Sequence, residues 1–225
     1  KKIYIPEVGK NIMTYELEAS GPKVLLVHGW SGRGTQMHAL AKECHKEGMN
    51  VFSFDLPAHG QSSSNTTLIP EVVKCVRSLY QKIGPFDYAI GHSIGGICIM
   101  NSLRFGDKYK KMVTISSPHV NVDMFKDFIF KIGLNEKSLN KLLDVFKSKV
   151  GSDVESYDLI KCAKISNTPT LILHCHDDRD IPVECSKESI KHFKKGKLII
   201  TKGLGHRRIL RNKSIVKSVV NFLKN

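Results

Sequence analysis

An α/β fold, with a mostly parallel sheet of eight strands covered by helices on both faces, is what this 225-residue sequence predicts. Two observations carry that expectation. Short, continuous apolar runs alternate with longer stretches of helical spacing. The apolar runs also lack the polar alternation of a half-solvated strand, as strands buried on both faces require. At this length one domain over 1–225 is expected, large enough to bury a core without disulfides or metals.

In chain order, Ile3-Tyr4-Ile5 and Ile12 to Leu17 read as two short antiparallel edge strands, the second roughly alternating. The run Lys23 to Val27 gives a buried strand over 23–28, and a helix over about 35–48 follows the loose loop Ser31-Gly32-Arg33-Gly34. Asn50 to Asp55 is the next strand, and the polar loop Ser62 to Thr67 leads into a helix over about 67–83. Strand 86–91, helix 94–105 and strand 111–116 continue the alternation. After an irregular region come strand 169–174, helix 183–193, strand 197–201 and a closing helix over 212–223. Six of the eight strands thus stand in βα alternation, which a parallel sheet requires.

The irregular region runs from His119 to Asn167, nearly fifty residues between two strands that one helix could connect. Its apolar positions (Val122, Met124, Phe125, Phe128, Ile129 and Ile132, then Leu139, Leu142, Leu143 and Phe146) recur at helical spacing, so two or three short amphipathic helices are expected.

The densest chemical signal is Gly91-His92-Ser93-Ile94-Gly95, with Gly96 behind it. It lies between the apolar run Tyr88-Ala89-Ile90 and a helical stretch, the strand–turn–helix context of a nucleophile elbow. The turn has no room for side chains beside the serine, so glycines flank Ser93 and its hydroxyl is pushed out at the end of the sheet. Downstream, a strand runs into Asp177-Asp178-Arg179-Asp180-Ile181-Pro182, and the last strand leads to Gly203-Leu204-Gly205-His206. Serine, carboxylate and histidine therefore follow one another, each just past the end of a predicted strand. Asp177, Asp178 and Asp180 all compete for the acid. The backbone N–H of Ile94, opening the elbow helix, is a natural oxyanion donor.

With the His28-Gly29-Trp30 turn and the segment Asp55-Leu56-Pro57-Ala58-His59-Gly60-Gln61-Ser62, these motifs make the chain resemble the α/β-hydrolase superfamily, in its serine esterase and lipase branch, along nearly its whole length. The resemblance implies Ser93 as nucleophile and His206 as base. It places the acid four residues before the proline of its turn, at Asp178, with Asp123 as the rarer alternative. It implies the Trp30 N–H as second oxyanion donor, and leaves the Trp30 side chain as either a substrate wall or packing under a lid. It makes 119–167 the place for a small helical lid, with Phe125 and Phe128 lining an apolar pocket, and makes His28 and His59 braces. The activity implied is cleavage of a small to medium apolar carboxylic ester through an acyl-enzyme, without cofactor. A thioesterase, acyltransferase or C–C bond hydrolase with the same triad is the alternative, as is a ligand-binding member that has lost catalysis.

Composition bounds the partners. The net charge is +14, but lysines are spread over the predicted helices other than 94–105 instead of one stripe, so a solvated surface is expected and no specific nucleic acid. The clusters Lys108, Lys110, Lys111 and Lys191, Lys194, Lys195, Lys197 precede strands, at the sheet edge opposite the chemistry, whereas Arg207, Arg208 and Arg211 follow His206. His174-Cys175-His176 resembles a chelating pair, but alternate strand positions face opposite sides, so no metal is expected. No apolar run is long enough to span a bilayer, and the first residues carry no signal-peptide pattern. Six scattered cysteines without C-x-x-C spacing point to free thiols and a reducing cytoplasm. Oligomeric state has no sequence signal here.

Overall fold

The computed structural model describes residues 1–225. Eight strands, β1 (Lys2–Ile5), β2 (Lys10–Leu17), β3 (Lys23–Val27), β4 (Asn50–Phe54), β5 (Tyr88–His92), β6 (Lys111–Ile115), β7 (Thr170–Cys175) and β8 (Gly196–Thr201), form one sheet. Their spatial order is β1-β2-β4-β3-β5-β6-β7-β8. β1 pairs antiparallel with β2, and β2 with β4; every pairing from β4 to β8 is parallel. The predicted antiparallel pair is present, with only β1 at the edge.

Nine α-helices complete the chain: α1 (His38–Lys46), α2 (Ile69–Ile83), α3 (Ile94–Ser102), α4 (Val122–Lys131), α5 (Glu136–Val150), α6 (Leu159–Ile165), α7 (Glu184–Ile190), α8 (Gly205–Arg208) and α9 (Lys213–Lys224). One face of the sheet carries α2, α3 and α6, whose Val72, Val76, Ile97, Met100 and Cys162 share a core with Leu25, Phe52 and Met112. The other carries α1 and α9, where Leu40, Cys44, Val216 and Val219 pack on Val24, Ile90 and Val113. α3 is wholly buried and apolar all round except for Asn101 and Ser102 at its end, as suits a helix enclosed by its neighbours. Ile69 and Pro70 open α2, where a ring-locked φ and a missing N–H cost nothing.

Between β6 and β7 the chain makes three helices, each started by a side-chain cap. Asn121 accepts from Met124 N–H at 2.9 Å, Asn135 from Ser138 N–H at 3.2 Å and Asp158 from Ile160 N–H at 3.2 Å. They divide into two kinds. α6 buries Leu159, Cys162 and Ala163 and packs on α3, so it is an ordinary crossover helix and this end of 119–167 lies in the main core. α4 and α5 pack chiefly on each other and bury little: Ile129 in α4, Leu139 and Phe146 in α5. The segment added to the regular alternation is therefore α4–α5.

All six cysteines are free, and only Cys185 is not fully buried. Burial pushes the thiols of Cys44, Cys75 and Cys162 up to about 12, which makes them inert packing groups. No helix is long and apolar enough to cross a membrane.

Candidate active site

Ser93 joins β5 to α3 with φ 54° and ψ −124°, a conformation costing a non-glycine residue about 1–3 kcal/mol. The surroundings hold it there. Its N–H donates to the Ile115 carbonyl of β6 at 2.8 Å, and its own carbonyl accepts from Gly96 N–H at 3.0 Å. A Cβ at Gly91 would overlap the Gly95–Gly96 backbone, one at Gly95 the Val27 carbonyl, and one at Gly96 the Ser117 hydroxyl. The glycines let α3 start against β3 and β5, and this close approach turns the serine outward.

The loop after β3 faces the elbow, with Gly29 so near that a Cβ there would stand 2.8 Å from Ser93 Cβ. Buried His28 accepts from Leu56 N–H through Nε2 at 3.0 Å, so its proton lies on Nδ1, which donates to the Gly29 carbonyl at 2.7 Å. Gly32 N–H donates to the same carbonyl at 3.1 Å. In a trans peptide the next N–H points the opposite way. Fixing the Gly29 carbonyl thus aims the Trp30 N–H away from it, and that N–H meets no protein acceptor. The Ile94 N–H, in the first turn of α3, likewise has no intrahelical partner. Burial holds the His28 imidazole down at about 4, so this brace is neutral at physiological pH.

Asp55 ties this loop to the next. Its Oδ1 accepts from Gly34 N–H at 2.7 Å, and its Oδ2 from Gln61 N–H at 2.8 Å and the Tyr15 hydroxyl at 2.9 Å. His59 donates from Nδ1 to the Pro57 carbonyl at 2.9 Å and accepts Ser31 N–H through Nε2 at 3.1 Å. Both histidines sit where the sequence expected braces.

On the other side of Ser93, His206 lies in α8 after two glycines with positive φ, Gly203 and Gly205. Its Nδ1 donates to Asp178 Oδ2 at 2.8 Å. Asp178 Oδ1 accepts from Asp180 N–H at 2.9 Å and Ile181 N–H at 3.0 Å. Burial works to raise this carboxyl, but the bonds from His206 and Ile181 and the nearby imidazole outweigh it and bring Asp178 down to about 2. Of the three competing acids, Asp177 instead accepts from Gly203 N–H at 2.6 Å and is exposed, and Asp180 offers Asp178 only its backbone. Asp123 stands exposed in the first turn of α4. His174 is buried, with Nδ1 2.6 Å from the Ser186 hydroxyl and Nε2 3.0 Å from the Ile181 carbonyl, while His176 faces out. Ser93 Oγ and the His206 ring are not hydrogen-bonded to each other.

His92, which drew no attention in the sequence, links the two halves. Its Nε2 donates to the His206 main-chain carbonyl at 2.9 Å, with ring centroids 4.6 Å apart. It is 2% exposed, and burial first, then the His206 charge, hold its imidazole down at about 3. Cys175 was missed too: its Sγ accepts from Leu204 N–H at 3.2 Å and Gly205 N–H at 3.0 Å, anchoring the segment just before His206. Only the elbow motif itself could have pointed to His92; nothing in the sequence singled out Cys175.

A cavity of about 790 Å³ opens from this edge beneath α4–α5, within the range of small-molecule sites. Trp30 and Ile94 stand in its wall with Leu68 and Ile69 of the α2 start, and Phe125 and Phe128 face it from α4. Trp30 is 53% exposed and meets His59 edge-on at 5.1 Å, so its indole borders the opening instead of lying covered. His206 is not in that wall. It lines a separate depression with Arg207, Arg208, Asp177 and Asp180.

Comparison with known proteins agrees with this architecture. A family model described as alpha/beta hydrolase fold matches residues 22–154, and one described as TAP-like protein matches 151–225. No curated protein matches. An esterase from Exiguobacterium antarcticum superposes with a TM-score of 0.80 at 16% identity, over 100% of this chain and 99% of the other. Alpha/beta hydrolase domain-containing protein 10 from mouse gives 0.77 at 16%, over 100% and 96%. An esterase from Thermogutta terrifontis gives 0.76 at 16%, over 100% and 97%. At such identities these likenesses speak for the fold, and the family match over more than half of the sequence speaks for descent: the chain belongs to the alpha/beta hydrolase fold family.

Proposed function

We propose that the protein is a serine hydrolase that cleaves carboxylic esters through an acyl-enzyme, with Ser93 as nucleophile, His206 as base and acid, and Asp178 as the carboxylate orienting it. The observation that carries this reading is the 2.8 Å bond from His206 Nδ1 to a buried, ionised Asp178. With the proton held on Nδ1, Nε2 keeps a free lone pair beside the elbow, the tautomer a base needs.

A serine hydroxyl is a weak nucleophile until its proton leaves as attack proceeds. His206 Nε2 takes that proton while Ser93 Oγ bonds to the ester carbonyl carbon. Asp178 stabilises the imidazolium, and the carbonyl oxygen, now negative, is met by the N–H groups of Ile94 and Trp30. The imidazolium returns the proton to the leaving alkoxide as the C–O bond breaks. Water, deprotonated by the same His206, then attacks the acyl-serine and releases the carboxylic acid, restoring Ser93. His92 and Cys175 keep the His206 segment in register with the elbow. No step calls on a cofactor or a metal.

The two depressions separate the halves of the substrate. His206 must protonate the leaving group, so the alcohol portion lies on its side. The acyl chain then enters the cavity walled by Trp30, Ile94, Phe125 and Phe128, and α4–α5 acts as a lid over it. Phe and Leu side chains there suit a medium apolar chain.

Labelling with a fluorophosphonate tests the reading, because only an activated serine reacts. Wild type is expected to label in minutes and Ser93→Ala not at all, with hydrolysis of p-nitrophenyl octanoate lost in parallel. Absence of labelling in folded wild-type protein, or labelling that survives Ser93→Ala, would refute it.

A further inference from the structure

Most of the cavity wall is apolar, and Thr66, Thr67 and Tyr157 add only uncharged polar groups. Three charged residues line it: Glu71 and Lys74 on α2, and Lys149 in the last turn of α5. Glu71 is already neutralised, since Lys10 Nζ donates to its Oε2 at 2.8 Å. Lys74 and Lys149 have no carboxylate within 4.0 Å. Two ammonium groups without an ion-pair partner therefore border a pocket lined mostly by apolar side chains.

The position of Lys74 along the pocket follows from topology. Strand β4 runs parallel to the strands bearing the site and ends at the catalytic edge; the loop after it crosses that edge, and α2 then runs back away from it. Leu68 and Ile69, at the start of α2, stand in the same wall as the amides of Trp30 and Ile94. Lys74 lies five residues further, about 7.5 Å along the helix axis at 1.5 Å per residue. A lysine at such a place lays its methylene stem along the apolar wall and its charge at the rim. An acyl chain held at the amides and running along Ile69 would reach the Lys74 end of the wall, and Lys149 of α5 lines the same cavity.

We propose that the acyl group this enzyme takes carries an anion at its far end, a medium-length chain with a distal carboxylate or an equivalent anionic group, received by Lys74 and Lys149. The assignment rests on the ester hydrolase reading above and adds what the far end of the chain must be. It also gives a local use to two of the many lysines, most of which are simply solvated surface. Because both lysines are exposed, the attraction is modest and weakened by salt.

The test compares two esters of equal length, mono-p-nitrophenyl suberate and p-nitrophenyl octanoate. The suberate chain is long enough that its free carboxylate does not attack its own ester. In low-salt buffer the ratio of kcat/KM, suberate over octanoate, is expected to be about fivefold or more, as two exposed charge contacts supply. The ratio should fall towards one at 0.5 M NaCl and drop below one in the double variant Lys74→Glu, Lys149→Glu. Using the ratio cancels any general loss of activity in the variant. A ratio of one or less in the wild type, with octanoate turned over through Ser93, would overturn the assignment while leaving the hydrolase reading standing. A high ratio unchanged in the double variant would overturn it as well and point to Arg207 and Arg208 beside His206. If neither ester is turned over in a Ser93-dependent way, the hydrolase reading fails and this inference with it.

Discussion

The sheet edge that carries Ser93, Asp178 and His206 and the α4–α5 insertion above it are built on opposite terms. At the edge the supporting polar side chains are enclosed and held: His28 is fully buried, Asp178 is 9% exposed, and each of these two is fixed by two or more hydrogen bonds to backbone or ring. Gly29, Gly91, Gly95 and Gly96 admit no Cβ, and Ser93 holds a strained φ among them. In the insertion Phe128, Phe130, Ile132, Leu134 and Val145 are all exposed, and three buried residues anchor twenty-five helical ones. Chemistry needs atoms placed to a few tenths of an ångström, which close packing supplies. Substrate fit needs a surface that can yield, which a sparsely anchored helix pair supplies.

If that division is right, the largest losses of activity come from single atoms at the edge. Asp178→Asn is expected to lower kcat by about four orders of magnitude, since the amide cannot hold the productive tautomer of His206. Asp177→Asn and Asp180→Asn should remain within about tenfold of wild type, a loss below about 1.4 kcal/mol of barrier. Steady-state kinetics on the three variants settle the acid, and equal losses in all three would erase the distinction drawn here.

Acid sharpens the comparison through stability. His28 and His92 are held neutral by burial, with values near 4 and 3 against an ordinary 6.5. Below pH 6.5 the unfolded chain therefore binds protons that the folded edge refuses, and stability falls as the pH drops through that window. At pH 5 each of the two costs on the order of 2 kcal/mol, at about 1.4 kcal/mol per pH unit. Asp178 acts in the same direction but lower, its contribution being lost only as the pH falls from 3.8 towards about 2. Urea titrations at pH 7 and pH 5 measure this, and equal midpoints would mean that the two imidazoles are not buried as neutral rings.

The smallest effect on stability belongs to the insertion. Phe128→Asn removes an exposed ring, so unfolding free energy should change by less than about 0.5 kcal/mol. The chain-length preference among p-nitrophenyl esters should nonetheless move, by about threefold between butyrate and octanoate, as expected for lost contact with a few methylenes. Unchanged preference would return Phe128 to ordinary surface and leave α4–α5 without a part in selection.

What the sequence determined by itself is the frame. All eight strands were legible to within two residues, since the inner strands read as unbroken apolar runs and the β2 edge strand as a rough alternation, both of them local marks. Ser93 and His206 were legible for a similar reason: a turn that tight demands glycines, and glycines are visible in a string of letters. Asp178 was narrower, since three aspartates in four residues share one turn, and resemblance rather than spacing separated them. Only the tertiary structure put Asp178 against His206 while Asp177 turned to Gly203. Only it made His92 a link to a carbonyl 114 residues away, placed Cys175 under the amides of Leu204 and Gly205, and assigned α6 to the core instead of the cover. These contacts join segments distant in sequence through main-chain atoms and enclosed volume. Local composition carries no record of either, so they exist only once the chain has folded.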